Sequence, residues 1–149
     1  MGNHLYKAYN KATNTVAKTR QVVMLYDGAI RFLAQAKDAM EKNEIERRYK
    51  ALARTSEIIT GLQACLDFEA GGSTAQVLHD FYTSMDMRTM QLHRTADMEE
   101  CQRVIDELRS MREVWDTIDR GNGAPATAKP ANDRPAASVA DAQPVIVSA

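Results

Sequence analysis

Proline is absent from the chain until Pro125, and all four prolines, Pro125, Pro130, Pro135 and Pro144, fall in the last segment. Proline removes a backbone donor and clashes with the preceding helical turn, so everything before Gly121 is free to form long helices. From Gly121 onward, GNGAPATAKPANDRPAASVADAQPVIVSA is Ala/Pro-rich, unpatterned and nearly free of large apolar groups. Such a segment buries too little surface to offset its ordering entropy, so residues 121–149 are expected to form a disordered tail. Its Val145 to Val147 reads either as inert or as a short docking strand.

Ahead of the tail the hydrophobic period is helical. Val22, Tyr26, Ala29, Leu33, Ala36 and Met40 alternate steps of four and three, the spacing that keeps one face of a helix apolar. Ile45, Tyr49, Leu52, Ser56, Ile59, Gln63 and Leu66 repeat it, with Leu62 and Cys65 beside the polar member. A third seam runs through Ala75, Leu78, Tyr82, Met85 and Leu92, and a fourth through Cys101, Val104, Leu108, Met111, Trp115 and Ile118. Asn43 with Glu46, Ser73 with Gln76, and Asp97 with Glu100 each set a cap acceptor three residues before an acid or amide. Gly71 and Gly72 supply the dihedrals of a helix end. Short joints force successive helices to run antiparallel. The expected fold is all-α: an antiparallel up-and-down four-helix bundle over residues 19–120, with a short N-terminal arm, 1–18, and the disordered tail.

Charge and motifs exclude more than they assign. Net charge is −1, which argues against a polyanion binder, and no RNA-binding or helix-turn-helix signature is present. Lys7, Lys11, Lys18 and Arg20 precede the first acid, Asp27; the arm reads as solvated or as docking on an acidic surface. Without an apolar leader or a run of ~18 apolar residues, no membrane insertion is expected and the protein reads as cytoplasmic. Cys65 and Cys101 read as reduced, buried fillers. His4, His79 and His93 are scattered, with no Glu-x-x-His, HExxH, phosphate loop or GxSxG. The chain therefore reads as non-enzymatic, with no catalytic, cofactor or metal residues, and function is expected in a surface.

The first long helix shows where such a surface could lie. Turning ~100° per residue, Phe32, Leu25, Ala29, Val22, Leu33, Tyr26, Ile30 and Val23 fill roughly 180° of arc, whereas a core-facing helix needs about 100°. The surplus edge is Leu25 and Phe32 with Ala29 and Ala36. Either this helix sits centrally against two neighbours, or the edge is a groove wall for another protein's helix. Gly28, costing ~1 kcal/mol against Ala in mid-helix, implies close approach by a sister helix or a partner, with Asp27 beside it on the polar side. Met85, Met87, Met90 and Met98 crowd the third joint. The seam places Met85 inside, while Met87 and Met90 fall on other faces, so at least one should be exposed.

Three stretches occur in order: MLYDGAIRFL, Met24 to Leu33; LD-x-x-x-GG-x-x-A-x-x-L-x-x-x-Y-x-x-M, Leu66 to Met85; and VIDELRSMREVWDTI, Val104 to Ile118. Together they resemble the flagellar export chaperone family, FliS, over roughly Tyr6 to Ile118. The resemblance implies a helical bundle in the cytoplasm that binds the C-terminal segment of flagellin. It would hold that segment from premature assembly and deliver it to a component of the type III export gate. Tyr6 and Tyr9 match the tyrosine-bearing N-terminal segment that in family members lies over the client groove. Where many members carry Thr-Ala-Ser-Pro, this chain has Thr15-Val16-Ala17-Lys18. The expected partner-binding residues are Tyr6, Tyr9, Leu25, Tyr26, Asp27, Gly28, Phe32, Met87 and Met90; a homodimer stays open. The competing reading is a regulatory bundle that sequesters a transcription or assembly factor.

Overall fold

The structure, a computed structural model, describes residues 2–122, with side chains from 18 to 121. The tail from Gly123 onward lies outside the described residues, as do the side chains of Tyr6 and Tyr9. Four helices follow one another: α1 (Gly2–Glu41), α2 (Ile45–Ala64), α3 (Phe68–Thr95) and α4 (Met98–Asn122). The backbone of the segment read above as an arm continues α1, which is 40 residues long.

Pairs of side chains fix the directions. Lys37 donates to Gln102 at 2.8 Å, Asp27 accepts from Arg112 at 2.8 Å, and Arg20 approaches Asp119 at 3.7 Å. Each step back along α1 is a step forward along α4, so the two are antiparallel. Arg48 reaches the His93 carbonyl and Gln63 reaches Thr83, which sets α2 antiparallel to α3. The result is the up-and-down four-helix bundle. Its sides are unequal: α1 packs most extensively against α2 and α4, while α3 and α4 approach each other least.

The joints follow helix-end chemistry, at different residues from those expected in two cases. Asn43 does not cap α2. It takes the left-handed conformation (φ 57°) that closes α1, its N–H donating to Met40 at 3.3 Å while the Glu44 N–H donates to Ala39 at 2.9 Å. Those two bonds form a Schellman ending, in which asparagine is tolerated because its side chain suits the left-handed region. The third helix starts ahead of Ser73, at Phe68, because Asp67 accepts from the N–H groups of Glu69 and Ala70. Gly72 then kinks it, with φ 52° and ψ −124°, a conformation that a Cβ would oppose. Asp97 caps α4 as expected, accepting from Glu99 and Glu100.

The core matches three of the four seams. Every named member of the first and third is buried, as are all of the fourth except half-buried Met111. Trp115, Tyr26 and Tyr82 are its largest fully buried side chains. The second seam needs correction. Leu52, Ile59 and Leu66 are buried, but Ala51, Thr55 and Leu62 complete the inward face, and Ile45 and Tyr49 stand outside. Cys101 is buried with its thiol donating to the Leu33 carbonyl at 3.4 Å; burial pushes its pKa up to about 11. Both cysteines are free.

Candidate partner-binding surface

Large apolar side chains left outside a closed core mark the surface. Ile45 is 68% exposed, Tyr49 62%, Val77 64%, Met87 57% and Met90 58%. Leaving them in water forgoes ~1.5–3 kcal/mol each relative to full burial, so their arrangement matters. Met24 and Phe68 are exposed as well, outside either of the clefts described next.

Ile45 lines an open cleft of ≈ 610 Å³ between α1 and α2 with Phe32, Gln35 and Ala51, rimmed by charged Glu44, Glu46, Arg47, Lys50 and Arg54. Phe32 is half-buried there, with the Arg31 guanidinium 5.4 Å from its ring centroid. Tyr49 stands one helical turn beyond Ile45 on α2, and its ring meets His93 of α3 at 5.1 Å. Met90 lies one turn before His93, and Met87 one turn before Met90. Met87 lines a second open cleft, ≈ 320 Å³, with Asp80, Thr83, Ser84, Arg88 and Gln91. Further toward the start of α3, exposed Val77 and half-buried Phe81 reach the side where α3 and α4 part, with Met111 and Val114 half-buried on α4. An apolar band, broken by polar Asp80, Ser84 and Arg88 between Met87 and Val77, thus runs from the α1/α2 cleft across α2 and α3 to the α3/α4 side.

Charge along the band is internally compensated. Arg47 pairs with Asp38 at 2.6 Å, Lys50 with Glu46 at 3.1 Å and Arg54 with Glu57 at 3.3 Å. Hydrogen bonds from Arg47 and Lys42 hold the Asp38 carboxyl below its ordinary range. Arg88 clamps α3 to α4, reaching Glu100 and Glu107 at 2.5 Å each. Burial, aided by the Arg48 charge, holds His93 below the ordinary imidazole value.

The expected site residues divide. Met87 and Met90 are both exposed, and Met85 is in the core. Phe32 lines the α1/α2 cleft, whereas Leu25 is half-buried against the core. Tyr26 and Gly28, expected among the partner-binding residues, lie in the interior instead. Tyr26 is fully buried and donates to the Tyr82 hydroxyl at 2.9 Å. A Cβ on Gly28 would meet Cδ1 of Ile58 at 3.2 Å, so the close approach comes from α2. The reason is that α1 packs extensively against both α2 and α4, which together consume most of its wide apolar arc. Asp27 is held by Arg112 across the α1/α4 interface. Ile45 and Tyr49 read as members of the inward α2 seam and stand outside it, and Val77, beside core Leu78, was not singled out.

Among the described residues no His, Cys, Asp or Glu cluster is placed to hold a metal ion, and no helix is long and apolar enough to cross a membrane. His79 leans on Phe68 at 5.7 Å while Asp80 accepts from Gln76, so these sequence neighbours diverge.

Comparison with known proteins places the helical bundle in a family. The family model described as flagellar protein FliS matches residues 1–122. The flagellar secretion chaperone FliS of Campylobacter jejuni is 34% identical over 121 residues, covering 77% of this chain and 91% of the relative. That of Vibrio cholerae is 34% identical over 97 residues, covering 65% and 71%. The Pseudomonas aeruginosa chaperone FliSB is 31% identical over 99 residues, covering 66% and 79%. This chain belongs to the FliS family of flagellar proteins.

Proposed function

We propose that the protein is a cytoplasmic, non-enzymatic export chaperone that binds the C-terminal segment of flagellin. Binding would block premature polymerisation and present the subunit to a component of the flagellar type III export gate. The observation that carries this reading is the apolar band, which crosses from α1 to α4 on a bundle whose core is already closed. An unfolded amphipathic segment can lay successive helical turns along such a track, and its order-forming cost is offset by the surface it covers. Phe32, Met87 and Met90 belong to the seat, joined by Ile45, Tyr49 and Val77. Tyr6 and Tyr9 remain proposed as its N-terminal cover. Leu25, Tyr26 and Gly28 support the seat through packing, and Asp27 through its hold on α4.

The function is tested on polymerisation. Purified monomeric flagellin seeded with filament fragments should elongate freely alone and stop growing when an equimolar amount of this protein is added. Unchanged elongation at saturating protein would refute the reading.

A further inference from the structure

The band ends on the side where α3 and α4 approach least. Arg88 pairs with both Glu100 and Glu107. In that antiparallel register, Val77 and Phe81 of α3 stand opposite the stretch of α4 that carries Met111 and Val114. The four make an apolar patch along the α3/α4 side: Val77 is exposed, and the other three are only partly covered. The end of α4 is close by, because Val114 precedes Asn122 by about 12 Å of helix.

The chain continues from Gly123 to Ala149 and ends in PVIVSA. Val145-Ile146-Val147 is the sole cluster of branched aliphatic residues in that segment. We propose that this C-terminal cluster docks on the α3/α4 patch of its own chain, as a displaceable internal occupant. Length permits it. A linker from Gly123 to Pro144 has a typical end-to-end distance of roughly 25 Å, ample for a patch that starts about 12 Å from its root. Tethering also selects the occupant. An effective concentration of about 1 mM half-fills a patch of ~1 mM intrinsic affinity and outcompetes the tail of a second copy at micromolar protein by roughly a thousandfold. If the flagellin reading holds, a client entering this end of the band must first displace the tail.

The test needs no flagellin, so its failure is separate from failure of that reading. Amide NMR spectra of the full chain are compared with those of the full-length variant V145D/I146D/V147D, at two protein concentrations about tenfold apart. The expected result is a set of shift changes centred on Val77, Phe81, Met111 and Val114, the same at both concentrations. A second full-length variant, Val77→Asp, at a position exposed enough to tolerate the change, should move the tail resonances toward those of a free peptide. Changes confined to the mutated tail, changes centred instead on Ile45, Tyr49 and Met90, or wild-type shifts that grow with concentration and so report a second copy, would each overturn the proposal.

Discussion

The hydroxyl of Tyr26 on α1 donates to that of Tyr82 on α3 at 2.9 Å, across the centre of the bundle. Both rings are fully buried, 6.2 Å apart, and the bond ties together the two diagonal helices. Burial raises the pKa of each phenol above its ordinary value of 10.0.

Tyr26→Phe should therefore cost about 1–3 kcal/mol, the penalty of leaving one buried hydroxyl without its partner. The double variant Tyr26→Phe/Tyr82→Phe should be more stable than the sum of the single losses, by at least ~0.5 kcal/mol. Urea denaturation of the four proteins checks this. The raised pKa values add a pH signature. Their contribution to stability is complete below pH 10, and it is lost as pH rises beyond that point, where unfolded tyrosines ionise first.

Much of the bundle was legible in the sequence, and its failures have a common cause. The seams of α1, α3 and α4 read correctly because their three- and four-residue steps follow the face that packs inward, even where α1 and α3 carry further apolar residues beside it. In α2 the apolar residues lie on two faces. A count of three- and four-residue steps joined Ile45 and Tyr49 to Leu52 and Ile59, yet only packing against α1 and α3 decides that Ala51, Thr55 and Leu62 go inside. The same limit hid much of the site. Met87 and Met90 stood off their seam and were recognisable as surface, whereas Val77 sits beside core Leu78 and carried no signal of its own. Caps failed where two acceptors competed. Asp67 starts α3 ahead of Ser73, and Asn43 serves the end of α1 instead of the start of α2.

Gly28 offers a second check. Replacing a mid-helix glycine by alanine gains ~1 kcal/mol of helix propensity, but here the new methyl meets Ile58 Cδ1 at 3.2 Å. Ile58 is only half-buried and its terminal methyl can turn away, so Gly28→Ala should fall within ~0.5 kcal/mol of the parent. Gly28→Leu exceeds what the α1/α2 contact can yield and should lose about 1–3 kcal/mol. Gly28→Ala/Ile58→Val should recover the propensity gain and melt above the parent protein.

Acid should weaken the bundle in two stages. His93 is held below its ordinary value of 6.5 by burial and by Arg48. Its contribution is complete above that pH and declines as pH falls toward the lower folded value, because the unfolded chain takes up the proton first. Asp38 is held below 3.8 by hydrogen bonds from Arg47 and Lys42, and Asp116 by its bond from Arg120. Burial pushes Glu100 upward, but hydrogen bonds from Arg88 and Arg103 prevail and hold it below 4.5. These carboxylates contribute fully above their ordinary values, and the contribution disappears as pH falls through the lowered folded ones. The melting midpoint should step down below pH 6.5 and again below pH 4.5. His93→Gln should remove only the first step.

The central claim is that the apolar band seats the flagellin segment. Its most direct test is titration of a flagellin C-terminal peptide into the parent protein and into Tyr49→Glu/Met87→Glu/Met90→Glu, with melting curves for both. All three side chains are more than half exposed, so the variant should melt within ~3 °C of the parent, whereas Leu33→Glu, placing a carboxylate in the core, should not fold. Removing an apolar seat of this kind costs ~2 kcal/mol or more, about thirtyfold in affinity. The parent should bind tightly, and the folded variant should show at least that loss. Equal affinity in parent and variant would contradict the claim.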